Sequence, residues 1–151
     1  MLLLRRRTFF SREYDVLIGG ATAGELVRAR FKAEAELSLG SRRFQMRRHG
    51  TFKGKYTLHE GDDLVLEVRR TRVVPARLEF RFEDRNYEVN HRGWFSHTLK
   101  IEADGVSLGS ARAEIGWKGG AIVELPDHLP DPVQAFLGWV ALCRRDERKR
   151  Q

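Results

Sequence analysis

Cysteine is almost missing from this chain of 151 residues. Cys143 stands alone, which excludes an intramolecular disulfide framework and a cysteine-rich zinc site. Four prolines are too few for a Pro-rich linker protein. Long apolar runs are missing too. The longest, residues 135–143, is about half of what a membrane-spanning helix needs. The opening MLLLRRRTFF places its charges after three leucines rather than before a long apolar stretch, so it does not read as a secretory leader, and a cytoplasmic location is expected. Catalytic spacing is absent as well. The histidines His49, His59, His91, His97 and His128 form neither H-x₃-H nor H-E-x-x-H, and no G-x-S-x-G or phosphate-loop glycine pattern occurs. Cys143 sits in an apolar run and reads as a small core residue. A non-enzymatic protein without metal or cofactor is expected.

What is present is arginine. Basic residues number 28 against 21 acidic ones, a net charge of +7, and arginine outnumbers lysine by 22 to 6. Such a balance attracts polyanions and shapes encounter rates, and the guanidinium fork suits phosphate. It equally serves a soluble surface, so charge alone leaves the partner open.

Hydrophobicity alternates with period two. Leu78, Phe80 and Phe82 interleave with Arg77, Glu79, Arg81 and Glu83; Leu64, Leu66 and Val68 with Val65, Glu67 and Arg69; Leu99, Ile101 and Ala103 with Thr98, Lys100 and Glu102. Shorter stretches at Tyr14-Val16-Ile18, Phe44-Met46, Tyr87-Val89 and Ala111-Ala113-Ile115 repeat the theme. These read as strands with one face on a core, and the glycine- and Asp-rich stretches between them read as turns. Glu60, Asp62 and Asp63 are too few for a calcium loop and read as one such turn. A shift of 43 positions lays residues 37–58 over 80–101 in matching apolar phase, so the sheet is built from two repeated halves.

The closing segment differs in kind. Pro130-Asp131-Pro132 predicts a helix start, with Asp131 as N-cap and Pro132 at the first position, and the helix is expected over about 131–145. Its apolar residues cover the whole circumference, so it must be buried all round. Only a sheet curled around it does that, with Gly138 letting one wall approach closely. The expected fold is mainly β: one domain over residues 1–151, a closed antiparallel barrel of about twelve strands around a hydrophobic C-terminal helix.

The repeated segments, the turns Gly50-Thr51-Phe52 and Gly93-Trp94-Phe95, and the closing AIVELPDHLPDPVQAFLGWVALCRR (121–145) together resemble the tubby C-terminal-domain-like superfamily, which includes LURP-one-related proteins and phospholipid scramblases. The resemblance implies a barrel of roughly twelve strands around a central helix, which matches the reading of the residues. It also implies a phospholipid-binding role, although members have varied functions and a shared fold does not assign one.

Three surface features compete as sites. The two glycine turns combine cations with aromatics: Arg47, Arg48, Lys53 and Lys55 with Phe52, and Arg92 with Trp94 and Phe95. That mixture suits an anionic membrane, rings at the headgroup level and cations on phosphates; equally, the rings could plug the barrel ends. Arg69, Arg70 and Arg72 join Arg42, Arg43 and Arg47 in a basic stripe if their strands are neighbours, or else protect a strand edge by charge. The tail from Arg144 to Arg150 reads as a frayed, solvated end. The expected function is binding of an anionic partner, a lipid headgroup or membrane surface. The alternatives are a protein-interaction or regulatory domain whose basic surface is incidental and, third, a nucleic-acid binder. The oligomeric state is left open.

Overall fold

The structure, a computed structural model, describes residues 1–8, 11–50, 54–72, 77–91, 97–115 and 119–149. The strands are β1 (Leu2–Arg6), β2 (Glu13–Ile18), β3 (Ala21–Arg28), β4 (Glu34–Leu39), β5 (Arg42–His49) and β6 (Lys55–Glu60). They continue with β7 (Asp63–Arg72), β8 (Arg77–Phe82), β9 (Arg85–His91), β10 (Thr98–Ala103), β11 (Val106–Ala113) and β12 (Ala121–Glu124). A single helix, α1 (Asp131–Lys149), follows. Each strand pairs antiparallel with its neighbours in sequence, and β1 closes the barrel on β12 through Leu2↔Val123 and Leu4↔Ala121.

Closure decides where the helix goes. From Pro132 to Arg145 every residue of α1 is buried, and the helix packs against β12 and β6, which lie on opposite walls. The strands therefore encircle it, as its all-round apolarity requires. Phe136 and Trp139 are fully buried, and Trp139 meets the ring of Tyr56 edge-on at 6.0 Å. A Cβ at Gly138 would lie 3.0 Å from Val123 Cγ2 and 3.1 Å from Leu4 Cδ1, so glycine there sets how near the helix approaches β12 and β1.

The helix begins one residue earlier than the Asp131 N-cap expected, because the Pro130 carbonyl already accepts from the Gln134 amide at 3.0 Å. The Gln134 side chain turns back and donates to the Leu129 carbonyl at 2.8 Å, fixing the chain as it enters the barrel. The helix also runs to Lys149, beyond the expected end. Arg144 and Arg145 are buried rather than frayed, and Arg145 donates to the carbonyls of Glu114 (2.9 Å) and Gly119 (3.1 Å). Strand-end carbonyls supply acceptors that the sequence could not announce.

The repeat is threefold rather than the two halves expected, at intervals of 42 and then 43 residues. Register shifts fall at Val16/Leu17 in the β2–β3 pair, Leu58/His59 in β6–β7 and Ile101/Glu102 in β10–β11. The four-strand unit β1–β4 thus recurs as β5–β8 and β9–β12, each with a bulge at the same place. A bulge inserts one residue and reverses the phase of the side chains beyond it. For this reason Leu64, placed on the core face by simple alternation, is 54% exposed, while Val65 packs partly against the core. Ile115, expected to continue the alternation of Ala111 and Ala113, lies past the end of β11 and is exposed.

Candidate functional site: a basic mouth at the end of the helix

The three units bring equivalent residues to the end of the barrel where α1 finishes. In the first, Arg6 pairs in register with Tyr14, and Arg28 ends β3; in the second, Arg48 pairs with Tyr56, and Arg70 follows in β7. In the third the same register positions are His91, Leu99 and Ala113. Two units thus carry an Arg–Tyr–Arg set at the rim and one does not. All these positions extend the row whose earlier members, such as Leu4, Met46 and Leu26, face the core. Where such a row passes the end of the packed interior, an arginine can keep its stem against apolar neighbours and its head in water.

The helix ends between these sets and supplies a counter-charge to one arginine of each. Arg28 forms an ion pair with Asp146 at 2.7 Å. Arg48 pairs with Glu147, which also accepts from the Tyr56 hydroxyl at 2.9 Å. Arg6 donates to the Tyr14 hydroxyl at 3.3 Å. Around Asp146 and Glu147 opens a cavity of about 260 Å³, lined by six cations, Arg6, Arg12, Arg28, Arg30, Lys32 and Arg48. Six positive charges face two carboxylates. Arg12, Arg30 and Lys32 form no ion pair among the described residues. At the rim Phe31 is 91% exposed, and the guanidinium of Arg30 lies 5.6 Å from its ring centre.

Titration follows this field. Burial alone would make Tyr14 harder to ionise, but the guanidiniums of Arg28 and Arg6 outweigh it and hold the hydroxyl below its ordinary range. Tyr56, its counterpart, is driven the other way by burial and by Glu147. Burial likewise works against ionisation of Asp146, yet Arg28 and Arg145 keep its carboxyl below the usual value. Burial pushes the Cys143 thiol, which also borders the cavity, up to about 12, so it stays protonated and a core residue, as expected.

The residues proposed from sequence do not form one stripe. β6 separates β5 from β7, so the two arginine runs are not on adjacent strands. Arg42 stands at the opposite end of the barrel, paired with Glu60 at 2.8 Å, roughly 20 Å along β5 from Arg48. Lys55 and Arg69 lie on the outer wall and share Glu67, at 3.0 and 2.8 Å. Arg43 and Arg47 point outward from β5, and Arg47 borders a second, more open hollow of about 280 Å³ with Glu34 and Glu36. Arg70 lies at the rim, its Cβ 3.0 Å from where a Gly54 side chain would begin. Arg72 closes β7 opposite Arg77; its side chain, and Phe52, Lys53, Arg92, Trp94 and Phe95, lie outside the described residues. Of the proposed set only Arg48 lines the mouth.

Arg6, Arg12, Arg28, Arg30, Lys32 and Phe31 escaped the sequence reading, although a signal exists. Arg6, Tyr14 and Arg28 recur as Arg48, Tyr56 and Arg70 with identical spacing, displaced by 42 positions rather than 43. Alignment at 43 hides this match. Among known proteins, no family model, no curated protein and no solved structure matches the chain. No helix among the described residues is long and apolar enough to cross a membrane, and no described group of three or more His, Cys, Asp or Glu side chains is placed to hold a metal ion.

Proposed function

We propose that this protein is a non-catalytic binding module that rests on an anionic phospholipid surface through the mouth at the end of α1. The observation that carries the reading is the convergence of six cations and only two carboxylates on one cavity, with an exposed aromatic at its edge. Cations held near a membrane each gain about 1 kcal/mol from anionic lipid, and an amphipathic or aromatic side chain favours the headgroup level. Phe31 between Arg30 and Lys32 combines the two. The kinship with tubby-like proteins, read from the closing segment, is part of this proposal; a barrel enclosing its own helix supports it.

Co-sedimentation with vesicles tests the reading. Phosphatidylcholine vesicles carrying phosphatidylglycerol should recruit the protein, and purely zwitterionic ones should not. The Arg30→Gln, Lys32→Gln double variant should lose most of this binding, and Phe31→Ala part of it. Equal recruitment by both vesicle types at low salt would remove the proposal. Nucleic-acid binding with a steep salt slope and no vesicle recruitment would replace it.

A further inference from the structure

Two of the six mouth cations, Arg28 and Arg48, form ion pairs with the protein's own helix. Asp146 and Glu147 are neighbours on the last turn of α1; besides their contacts with Arg145 (3.2 Å) and Arg144 (3.3 Å) on the helix itself, each reaches a different strand: Asp146 to Arg28 on β3, Glu147 to Arg48 on β5 and Tyr56 on β6. Both arginines line the same cavity, and their side chains are only 18% and 20% exposed. Left without a counter-charge, such arginines are costly, so some anion must hold them. Nothing requires that anion to be a carboxylate of this chain.

We propose that Asp146 and Glu147 are resident place-holders, and that the mouth binds a phosphate monoester by exchange, its oxygens taking over Arg28 and Arg48 while the last turn of α1 is released. This rests on the reading of the mouth as an anion site. The charges balance. Two carboxylates leave, and a phosphate monoester brings about −1.5 to −2 charges at neutral pH on three oxygens, whose geometry matches guanidinium forks. Arg12, Arg30 and Lys32, which form no ion pair among the described residues, favour the exchange: they add attraction for a more highly charged group that the carboxylates do not use. The cavity, at about 260 Å³, lies below the roughly 300–1,000 Å³ of sites for drug-sized ligands, which suits a headgroup-sized anion. Exchange couples occupancy to the helix end. The segment Asp146–Lys149 is held while the mouth is empty and loosened when it is filled.

Glycerol 3-phosphate and phosphatidate vesicles carry this group in soluble and lipid form; phosphatidylglycerol vesicles of equal charge carry a diester. Affinity is measured for the intact chain, for Asp146→Asn with Glu147→Gln, and for Glu60→Gln, which removes a charge at the far end of the barrel. Physiological salt screens fields beyond about 8 Å. The double variant should bind glycerol 3-phosphate about tenfold tighter than the intact chain, with Glu60→Gln unchanged. In the intact chain, ligand should speed hydrogen exchange of the backbone amides at 146–149. This second readout holds even if the double variant fails to fold. Unchanged or weaker binding by a folded double variant, or ligand-induced protection at 146–149, would overturn the exchange while leaving the mouth as an anion site. Phosphatidate binding without glycerol 3-phosphate binding, but with the same faster exchange, supports the proposal with a lipid source. If neither probe binds and anionic vesicles recruit no protein, the reading of the mouth itself fails.

Discussion

The two ends of the barrel are made by the same strands and solve different problems. At one end, two-residue turns at Gly19-Gly20, Gly40-Ser41, Gly61-Asp62, Glu83-Asp84 and Asp104-Gly105 close the hairpins, and the chain enters the interior through residues 125–130. At the other, residues 11–12 and 29–33 border the end of α1, and arginines crowd around two carboxylates. The closed end also carries charge, but its pairs, among them Arg42–Glu60, Arg81–Asp84 and Arg85–Asp104, sit on the surface, where such pairs contribute little. At the mouth the pairs are half-buried and tie the helix to β3 and β5, so charge there has a structural consequence. Net charge is therefore a poor guide to the site. What matters is where a row of inward-facing residues runs out of apolar neighbours.

This contrast can be broken first through what both ends share. Trp139→Ala empties the largest side chain of the enclosed helix and should cost about 3–5 kcal/mol, read as a fall in the urea midpoint. If the helix lay outside the barrel, the cost would be far smaller. At the closed end, Glu83 and Asp84 occupy the left-handed region with φ of 49° and 62°, where a glycine carries no Cβ penalty. Asp84→Gly should therefore raise stability by about 1 kcal/mol, losing only an exposed contact with Arg81; lowered stability would show that turn to be held in some other way.

The smallest effect is also the most local. Tyr14 and Tyr56 hold equivalent positions, yet one hydroxyl faces arginines and the other a glutamate. In an alkaline titration followed by the tyrosinate absorption, the Tyr14→Phe variant should lose the transition below the ordinary range of about 10, and Tyr56→Phe a transition above it. For Tyr14, a folded value below the unfolded one means stability gained as pH rises through it and kept above the unfolded value. For Tyr56 the sign reverses, and stability falls once pH passes about 10. Coincident transitions would remove the electrostatic distinction between the two units.

The strands were legible in the sequence because burial on one face imposes period two, which the turn residues then punctuate. The enclosed helix was legible for a similar reason: a segment such as Val133–Cys143, apolar on every face and too short for a membrane, leaves few places to go. Leu64 and Ile115 were misplaced because a bulge or a strand end is set by pairing with a neighbour, not by the segment's own pattern. The arginine stripe dissolved for the same reason, once β6 came between Arg47 and Arg69.

Composition and periodicity by themselves determined a closed sheet around its own helix, since no other arrangement keeps that helix dry. Tertiary structure alone decided the mouth. Arg6, Arg28 and Arg48 are distant in the chain, and each reads locally as an ordinary charged strand end. Only barrel closure, with a repeat that returns every strand to the same rim, brings them around the carboxylates of one helix, where partial burial makes their charge matter.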